Sequence, residues 1–592
     1  MNARTRPAPF GLLLALLIGL FTTGAFAQNA DRKGSPFEGI RWSDAAPQVL
    51  VRGAWYAPVS IHGVEVNEIL EFCEARWPGK REKRFAEDLV EAMTLMGHTV
   101  PAAVDLVLTR VADGERIELQ GVAVTLANRQ ALRSAGDPRA VRSAAPASLT
   151  RERALEDLAE LARRLQDQFA YLELGDFDWK AELDRIGKEL PRQVATGEFA
   201  GQLERFMAHF RDGHASVSSD RQEGPSTYPP FLLQEAAGGV VAFRPDRSSL
   251  LDDEHPYVVE IDGVGIEVWI DRASSSVASG SPQLVRSWSL RGLRNLELLR
   301  TPEDGAAAGT VRVKLAAQDG STTVERVLAM VPRRPIFGSW PATETRILDG
   351  DVGYLRLAAM DDALVPHLRE AMESFRRTKG LVVDVRGNGG GSRSLLIALA
   401  GYLVGPDEGP WVGNVAKYRL SSRFDAGHLE ARYMYRAADE RWTRAQRRAV
   451  DAVAKRFEPE WAPPGAFSEW HYLVLDRTGH EDEYFYRQPV VVLSDAGCFS
   501  ATDIFLAALS GRPRVTLMGS ASSGGSARSQ SFSLTHSGIG VRCASMASFR
   551  PDGRLYDGRG VEVDIEVPIQ PTDLVRAGTD TVLEAALARV LE

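Results

Sequence analysis

The hydrophobic pattern changes period most clearly at residues 489–511, PVVVLSDAGCFSATDIFLAALSG. Val490 to Leu493 is an apolar, β-branched run with no polar break, the pattern of a strand buried on both faces. From Ala501 to Leu509 the apolar positions Ile504, Phe505, Ala508 and Leu509 recur at helical spacing, the pattern of a helix packed on a sheet. Ser500 falls on the turn between them, and the free N–H groups of the helix start favour developing negative charge beside its hydroxyl. Serine is also a preferred helix N-cap, and Asp503 three residues later resembles a capping box. Taken alone, the stretch admits both a cap and a nucleophile.

Elsewhere the pattern divides the chain. Residues 28–147 hold strand-like runs at Gln48–Arg52 and Val59–Ile61, a helical stretch Glu82–Leu95, and a hairpin of Val104–Arg110 and Arg116–Leu119 around Asp113-Gly114. A similar order returns over residues 240–335. Ile261-Asp262-Gly263-Val264 echoes Ile61-His62-Gly63-Val64, and Val311–Leu315 and Thr323–Leu328 flank Asp319-Gly320, so a weak internal repeat is expected. Both copies resemble PDZ-like modules, which bind extended peptides at an open strand edge; a plain spacer role is the other reading. Residues 148–225 are amphipathic and helical (Arg151–Phe169, Trp179–Leu190, Phe199–Phe210) and run into Asp212-Gly213-His214.

From residue 345 to 592 the pattern is α/β. It has strands at Val352–Leu357, Leu381–Val385 and Val515–Met518, and helices at Pro366–Thr378, Ser394–Leu403 and Asp580–Leu591. Residues 411–488 read as an irregular insertion with one helix, Thr443–Phe457.

The length, 592 residues, calls for several cores. A net charge of -9 without a basic run argues against a nucleic-acid partner. Arg4 and Arg6, the apolar run Phe10–Phe21 and Ala25-Phe26-Ala27 have the form of a signal peptide over residues 1–27. The expectation is an exported chain, periplasmic or secreted, that begins at Gln28 and has no membrane span in its mature part. The three cysteines, Cys73, Cys498 and Cys543, form neither a disulfide framework nor a metal motif. A Cys498–Cys543 bridge and two buried thiols are both compatible with the sequence.

The glycine run Gly387-Asn388-Gly389-Gly390-Gly391 follows a buried strand. It lacks the lysine of a phosphate-binding loop, and it suits the presentation of bare N–H groups to an oxyanion or a structural turn. Five segments then occur in a telling order: DGHASV (212–217), LVVDVRGNGGGS (381–392), SDAGCFSATD (494–503), the G-x-x-x-x-G-G loop at 519–525 and DGRGVEVDIEV (557–567). Together they resemble the S41 peptidases, which include the carboxyl-terminal processing, tail-specific and tricorn-type proteases.

The resemblance implies a ClpP/crotonase-like α/β protease core beside the helical bundle and the PDZ-like modules. It implies Ser500 as nucleophile, Gly390 and Ala501 as oxyanion donors, and Phe499, Asn388 and Gly389 as substrate-binding residues. The carboxyl-terminal processing branch takes its base from a lysine at the position of Gly525, but no lysine follows Lys455, and an arginine such as Arg528 does not release its proton. His214 is therefore the expected base, with His536 as runner-up. Asp557 is the expected orienting acid, with Glu562 and Asp564 as alternatives. No metal motif or cofactor is implied. The expected function is an exported serine endopeptidase acting on polypeptides. The alternative is a catalytically weak or inactive relative that binds peptides or small ligands.

Overall fold

The computed structural model describes residues 34–592 apart from 44–45, 77–80, 126–127, 130–131, 133–144, 223, 422, 425 and 481. The expected signal peptide lies outside the described residues. The chain divides into two compact units, one ending at Ser143 and one running from Ala144 to Glu592.

In the first unit, five antiparallel strands lie in chain order: Gly39–Ser43, Ala46–Val51, Ala54–Ile61, Ala103–Arg110 and Arg116–Ala123. The expected helix Glu82–Leu95 is two, Arg81–Glu87 and Leu89–Leu95, and with Val66–Arg76 they cover a core that includes Phe37, Ile69, Phe85 and Leu106.

The second unit contains a sheet of the same topology: Leu232–Ala236, Gly239–Phe243, Tyr257–Ile261, Thr310–Ala316 and Thr323–Ala329. The likeness extends to detail. His62-Gly63 (φ 48° and 81°) and Asp262-Gly263 (φ 52° and 82°) both make the left-handed pair that a tight hairpin turn requires. The register slips between Pro58 and Ser60 in one sheet and between Val258 and Glu260 in the other. The Ile-x-Gly-Val echo thus marks a repeat of topology, and its second copy begins earlier than residue 240.

The helices Arg151–Gln168, Trp179–Glu189 and Thr196–Ala208 bury Leu161, Phe199, Leu203 and Phe206 against one another. Thr150 and Asp178 cap the first two. The strand Ser216–Ser218, just after His214, pairs with Gly540–Ala544.

The main sheet has the order Arg346–Leu348, Val352–Arg356, Gly380–Asp384, Val490–Ser494, Val515–Gly519, Ile565–Glu566, parallel except for the first strand. Its strands are apolar without a break because both faces are covered. Val490 and Val492 pack with the helices Val365–Ser374, Ser394–Leu403 and Ala501–Leu509, while Val491 and Leu493 pack with the last helix, Thr581–Leu591.

Residues 411–488 are not an irregular insertion. Trp411–Tyr418, His471–Leu475 and Tyr435–Arg436 form a second sheet that also takes in Met546–Phe549. The helix there runs Arg444–Ala454, with Thr443 and Gln446 as a capping box. All three cysteines are free and buried, so no Cys498–Cys543 bridge is formed. Among the described residues no helix is long and apolar enough to cross a membrane.

Candidate active site

Strand Val490–Ser494 delivers a tight turn. Asp495 Oδ1 accepts the N–H groups of Gly497 and Gly387, each at 2.8 Å, and so ties the turn to the glycine run after the neighbouring strand. The approach is close: a Cβ on Gly497 would lie 2.8 Å from Gly387 Cα. Ser500 follows with φ 62° and ψ -117°, a backbone conformation that costs a non-glycine residue on the order of 1–3 kcal/mol. Its side chain makes no cap hydrogen bond. Its Oγ lies instead 3.1 Å from His214 Nε2. The turn directs the hydroxyl away from the helix and toward the imidazole.

His214 is buried under Phe499, with ring centroids 4.6 Å apart. Burial first, then Arg542 and Arg432, push its pKa down to about 3, so the ring is neutral near pH 7 and able to accept a proton. Its Nδ1 is buried and has no hydrogen-bond partner among the described residues. Two carboxyl groups face it. Asp212 Oδ1 is 3.8 Å from Nδ1, and Asp557 Oδ1 is likewise buried and unpartnered. The facing atoms of the three side chains lie within 4.8 Å of one another. Asp557 Oδ2 accepts from Tyr171 Oη (2.9 Å) and Ser526 N–H (3.2 Å). Asp212 accepts from the N–H groups of His214 (2.9 Å) and Ala544 (2.8 Å).

Burial, reinforced by the charge of Asp212, raises the Asp557 pKa to about 8. Burial raises that of Asp212 to about 6. The same three groups have ligand atoms close enough for a metal ion.

The expected residues fall into three groups. Ser500, His214 and Asp557 come together, although no direct hydrogen bond joins His214 to Asp557. Ala501 N–H opens the helix Ala501–Leu509 and has no acceptor among the described residues. Gly390 is pressed against the turn that carries Ser500: a Cβ there would lie 2.6 Å from Phe499 O and 2.7 Å from Ser500 Cβ. Its N–H, expected to be free, donates to Asn388 Oδ1 at 2.9 Å.

Asn388 itself is misplaced as a substrate contact. It is fully buried, its Nδ2 donates to Leu357 O, and its Oδ1 also accepts from Thr502 Oγ1. It positions the glycine run, and only Gly389 of that pair is exposed. Phe499 is also largely buried, between the imidazole and Trp288, and forms a wall against the His214 ring rather than an open pocket.

His536 pairs with Glu156 at 2.6 Å and holds its backbone N–H to Asp157, outside this cluster. Glu562 lies against Arg554, and Asp564 accepts Leu517 N–H at 2.8 Å.

Three contributors escape the sequence reading. Asp212 stands two residues before His214, inside a quoted motif, and reads there as an ordinary turn aspartate. Tyr171 has no local signal. Asp503 reads as a cap, but its carboxyl group accepts Ser522 Oγ and the N–H groups of Gly524 and Gly525, which fastens the glycine–serine loop to the helix Ala501–Leu509.

That loop explains the missing lysine in steric terms. A Cβ at Gly525 would lie 2.2 Å from the Phe499 ring, so a phenylalanine fills the space that a lysine stem needs. Gly525→Ala is expected to destabilise the fold by about 1–3 kcal/mol in urea unfolding, because a packed aromatic must move. An unchanged midpoint would mean that Phe499 does not hold that position.

Comparisons with known proteins point to a serine-type peptidase. Residues 351–567 match the family model of Peptidase family S41, a family of serine-type peptidases. Tricorn protease homolog 2 of Streptomyces coelicolor is 27% identical over 243 residues. That match takes in 37% of this chain and only 19% of the relative, so the chain spans a small part of the curated protein it matches. Among solved structures, mature CPAF superposes with a TM-score of 0.56 at 19% identity, over 74% of this chain and 98% of that one. The mature CPAF complex with lactacystin gives a TM-score of 0.54 at 18% identity, over 74% and 99%. At these identities the likeness establishes a shared fold.

Proposed function

We propose that the protein is an exported serine endopeptidase that cleaves polypeptides through an acyl-enzyme. One observation carries this reading: the strained Ser500 presents Oγ at 3.1 Å from a buried, neutral imidazole. Ser500 attacks the scissile carbonyl while His214 Nε2 takes its proton. The imidazolium so formed has Nδ1 aimed at Asp557 and Asp212, and an ionised Asp557 stabilises it, with Tyr171 Oη and Ser526 N–H holding that carboxylate in place. Ala501 N–H meets the oxyanion, and Gly390 N–H joins it by releasing Asn388 Oδ1, which keeps the Thr502 hydroxyl. His214 then protonates the leaving amine and activates the water that hydrolyses the ester. The leader-like residues 1–27 support export, and the two repeated sheets support peptide capture as PDZ-like modules. A binding-only role is disfavoured because a binding protein has no use for a serine held in strain against a base.

The test is cleavage of an unstructured protein by the chain from Gln28, read by mass spectrometry. Discrete fragments from the parent and none from Ser500→Ala are expected. No fragments from either, with both folded, would leave the binding reading standing in place of this one.

A further inference from the structure

Three side chains converge at the Nδ1 end of the imidazole, opposite the Nε2 that faces Ser500. His214 is 8% exposed and Asp557 2%, and neither Nδ1 nor Asp557 Oδ1 has a hydrogen-bond partner among the described residues. Asp212 is fully buried and brings Oδ1 to 3.8 Å from Nδ1. One ligand atom from each of the three lies within 4.8 Å of the others. The order Asp-Gly-His sets two of these groups on a single turn. Gly213 between them leaves no room for a side chain, since a Cβ there would lie 2.8 Å from the Phe499 ring.

Each carboxyl group is held from behind. Asp212 takes the N–H groups of His214 and Ala544, and Asp557 Oδ2 takes Tyr171 Oη and Ser526 N–H. Outer partners of this kind orient the ligands of metal sites. Two carboxyl groups buried side by side repel when charged, and a buried ring nitrogen without a partner is itself costly. A divalent cation between the three relieves both. Zinc bonds of about 2.1 Å set tetrahedral ligand atoms about 3.4 Å apart, so these atoms need to close by about 0.4 to 1.4 Å. One imidazole nitrogen with two carboxylate oxygens suits zinc, whereas calcium and magnesium favour six or more oxygens. Arg542 and Arg432 act on His214 from nearby and oppose a cation, so both carboxylates are needed to hold one.

We propose that His214, Asp212 and Asp557 form a zinc site that switches the serine off when filled. The switch rests on the peptidase function proposed above; the site does not. For Nε2 to take the Ser500 proton, the ring's own proton must stand on Nδ1. Zinc takes the Nδ1 lone pair, and that proton moves to Nε2. Nε2 then donates to Ser500 Oγ across the existing 3.1 Å contact and has no lone pair left for the serine proton. Zinc also engages the carboxylate that would stabilise the imidazolium. No covalent bond of the chain is broken, so chelation restores the base.

The test titrates zinc chloride into the full chain carrying Ser500→Ala, stripped beforehand with EDTA, by isothermal titration calorimetry. About one equivalent is expected to bind, with a Kd of about 100 µM or tighter. Asp212→Asn and Asp557→Asn, each added to that chain, are expected to weaken this binding about tenfold or more. His536→Ala, which removes the outlying His536–Glu156 pair, is expected to leave it unchanged. Should one aspartate variant fail to fold, the other carries the test. No binding at roughly millimolar zinc, binding that the aspartate variants retain, or binding lost with His536 would each overturn the site. In the parent chain, zinc at about ten times its Kd is expected to cut cleavage of an unstructured protein about tenfold, with recovery on adding EDTA. Unchanged cleavage with zinc bound would overturn the switch. A parent that cleaves nothing even after EDTA would sink the peptidase function and the switch with it, while the site stands or falls by the calorimetry.

Discussion

Alanine in place of Ser500 is expected to lower kcat by on the order of 10⁴- to 10⁶-fold while the protein unfolds at the same urea concentration. Both halves follow from one geometry. The hydroxyl makes its single side-chain contact with His214 Nε2 and caps nothing, so its loss leaves the helix start and the packing intact. Ala501 N–H survives the substitution, which leaves oxyanion stabilisation as the residual rate. Alanine keeps a Cβ, so the strain at φ 62° also survives. Ser500→Gly should be equally inactive, yet at least as stable as Ser500→Ala, because glycine occupies that conformation freely. Turnover by Ser500→Ala within tenfold of the parent would overturn the assignment of the nucleophile.

Asp557→Asn is expected to lower kcat/KM by about 10³- to 10⁴-fold and to change the pH profile. In the parent, burial and the charge of Asp212 hold Asp557 up at about 8. Only its ionised form stabilises the imidazolium, so kcat/KM should rise with pH up to about 8. That limb should be missing in Asp557→Asn. Asp212→Asn removes the neighbouring charge and should move the limb to lower pH.

The same shift has a consequence for stability, with a definite sign. A carboxyl raised in the folded state binds more protons there than in the unfolded chain. Its contribution is full below the unfolded carboxylate pKa near 4 and is lost as pH rises through about 8. His214 acts in the opposite direction. With its pKa lowered to about 3, its contribution is present above the unfolded value near 6.5 and is lost as pH falls toward 3. Urea unfolding of Asp557→Asn between pH 6 and 9 should therefore be flatter than that of the parent. Parallel curves would mean that Asp557 does not titrate in this range.

The parts of this molecule that were legible in the sequence are those whose pattern is local. Val490–Leu493 alternates between two covered faces, so its run is uniformly apolar, and the helix behind it repeats at its own period. The hairpins of the repeated sheets announce themselves because a left-handed turn selects glycine. The strand Trp411–Tyr418 was hidden for a physical reason. Its register slips between Val412 and Asn414, which breaks the period of two. Asn414 is polar yet fully buried, held by Arg393, Ser548 and Phe549 O.

The site shows the same division. Ser500 and His214 sit in motifs. Tyr171, which donates to Asp557 and accepts Ser548 N–H, gains its role only when chain segments hundreds of residues apart meet. Asn388 was misread because a motif gives its position but not that its carboxamide faces inward.

The strand that follows His214 has its partner at Gly540–Ala544, and the aspartate before it needs Ala544 N–H. His214 is therefore made early in synthesis, and the strand after it has no partner until nearly the whole polypeptide has left the ribosome. A growing chain of this protein is a long, partly folded peptide, the very material such a site would digest. A product that stops short of residue 540 lacks both the strand that Ser216–Ser218 pairs with and the N–H that Asp212 accepts.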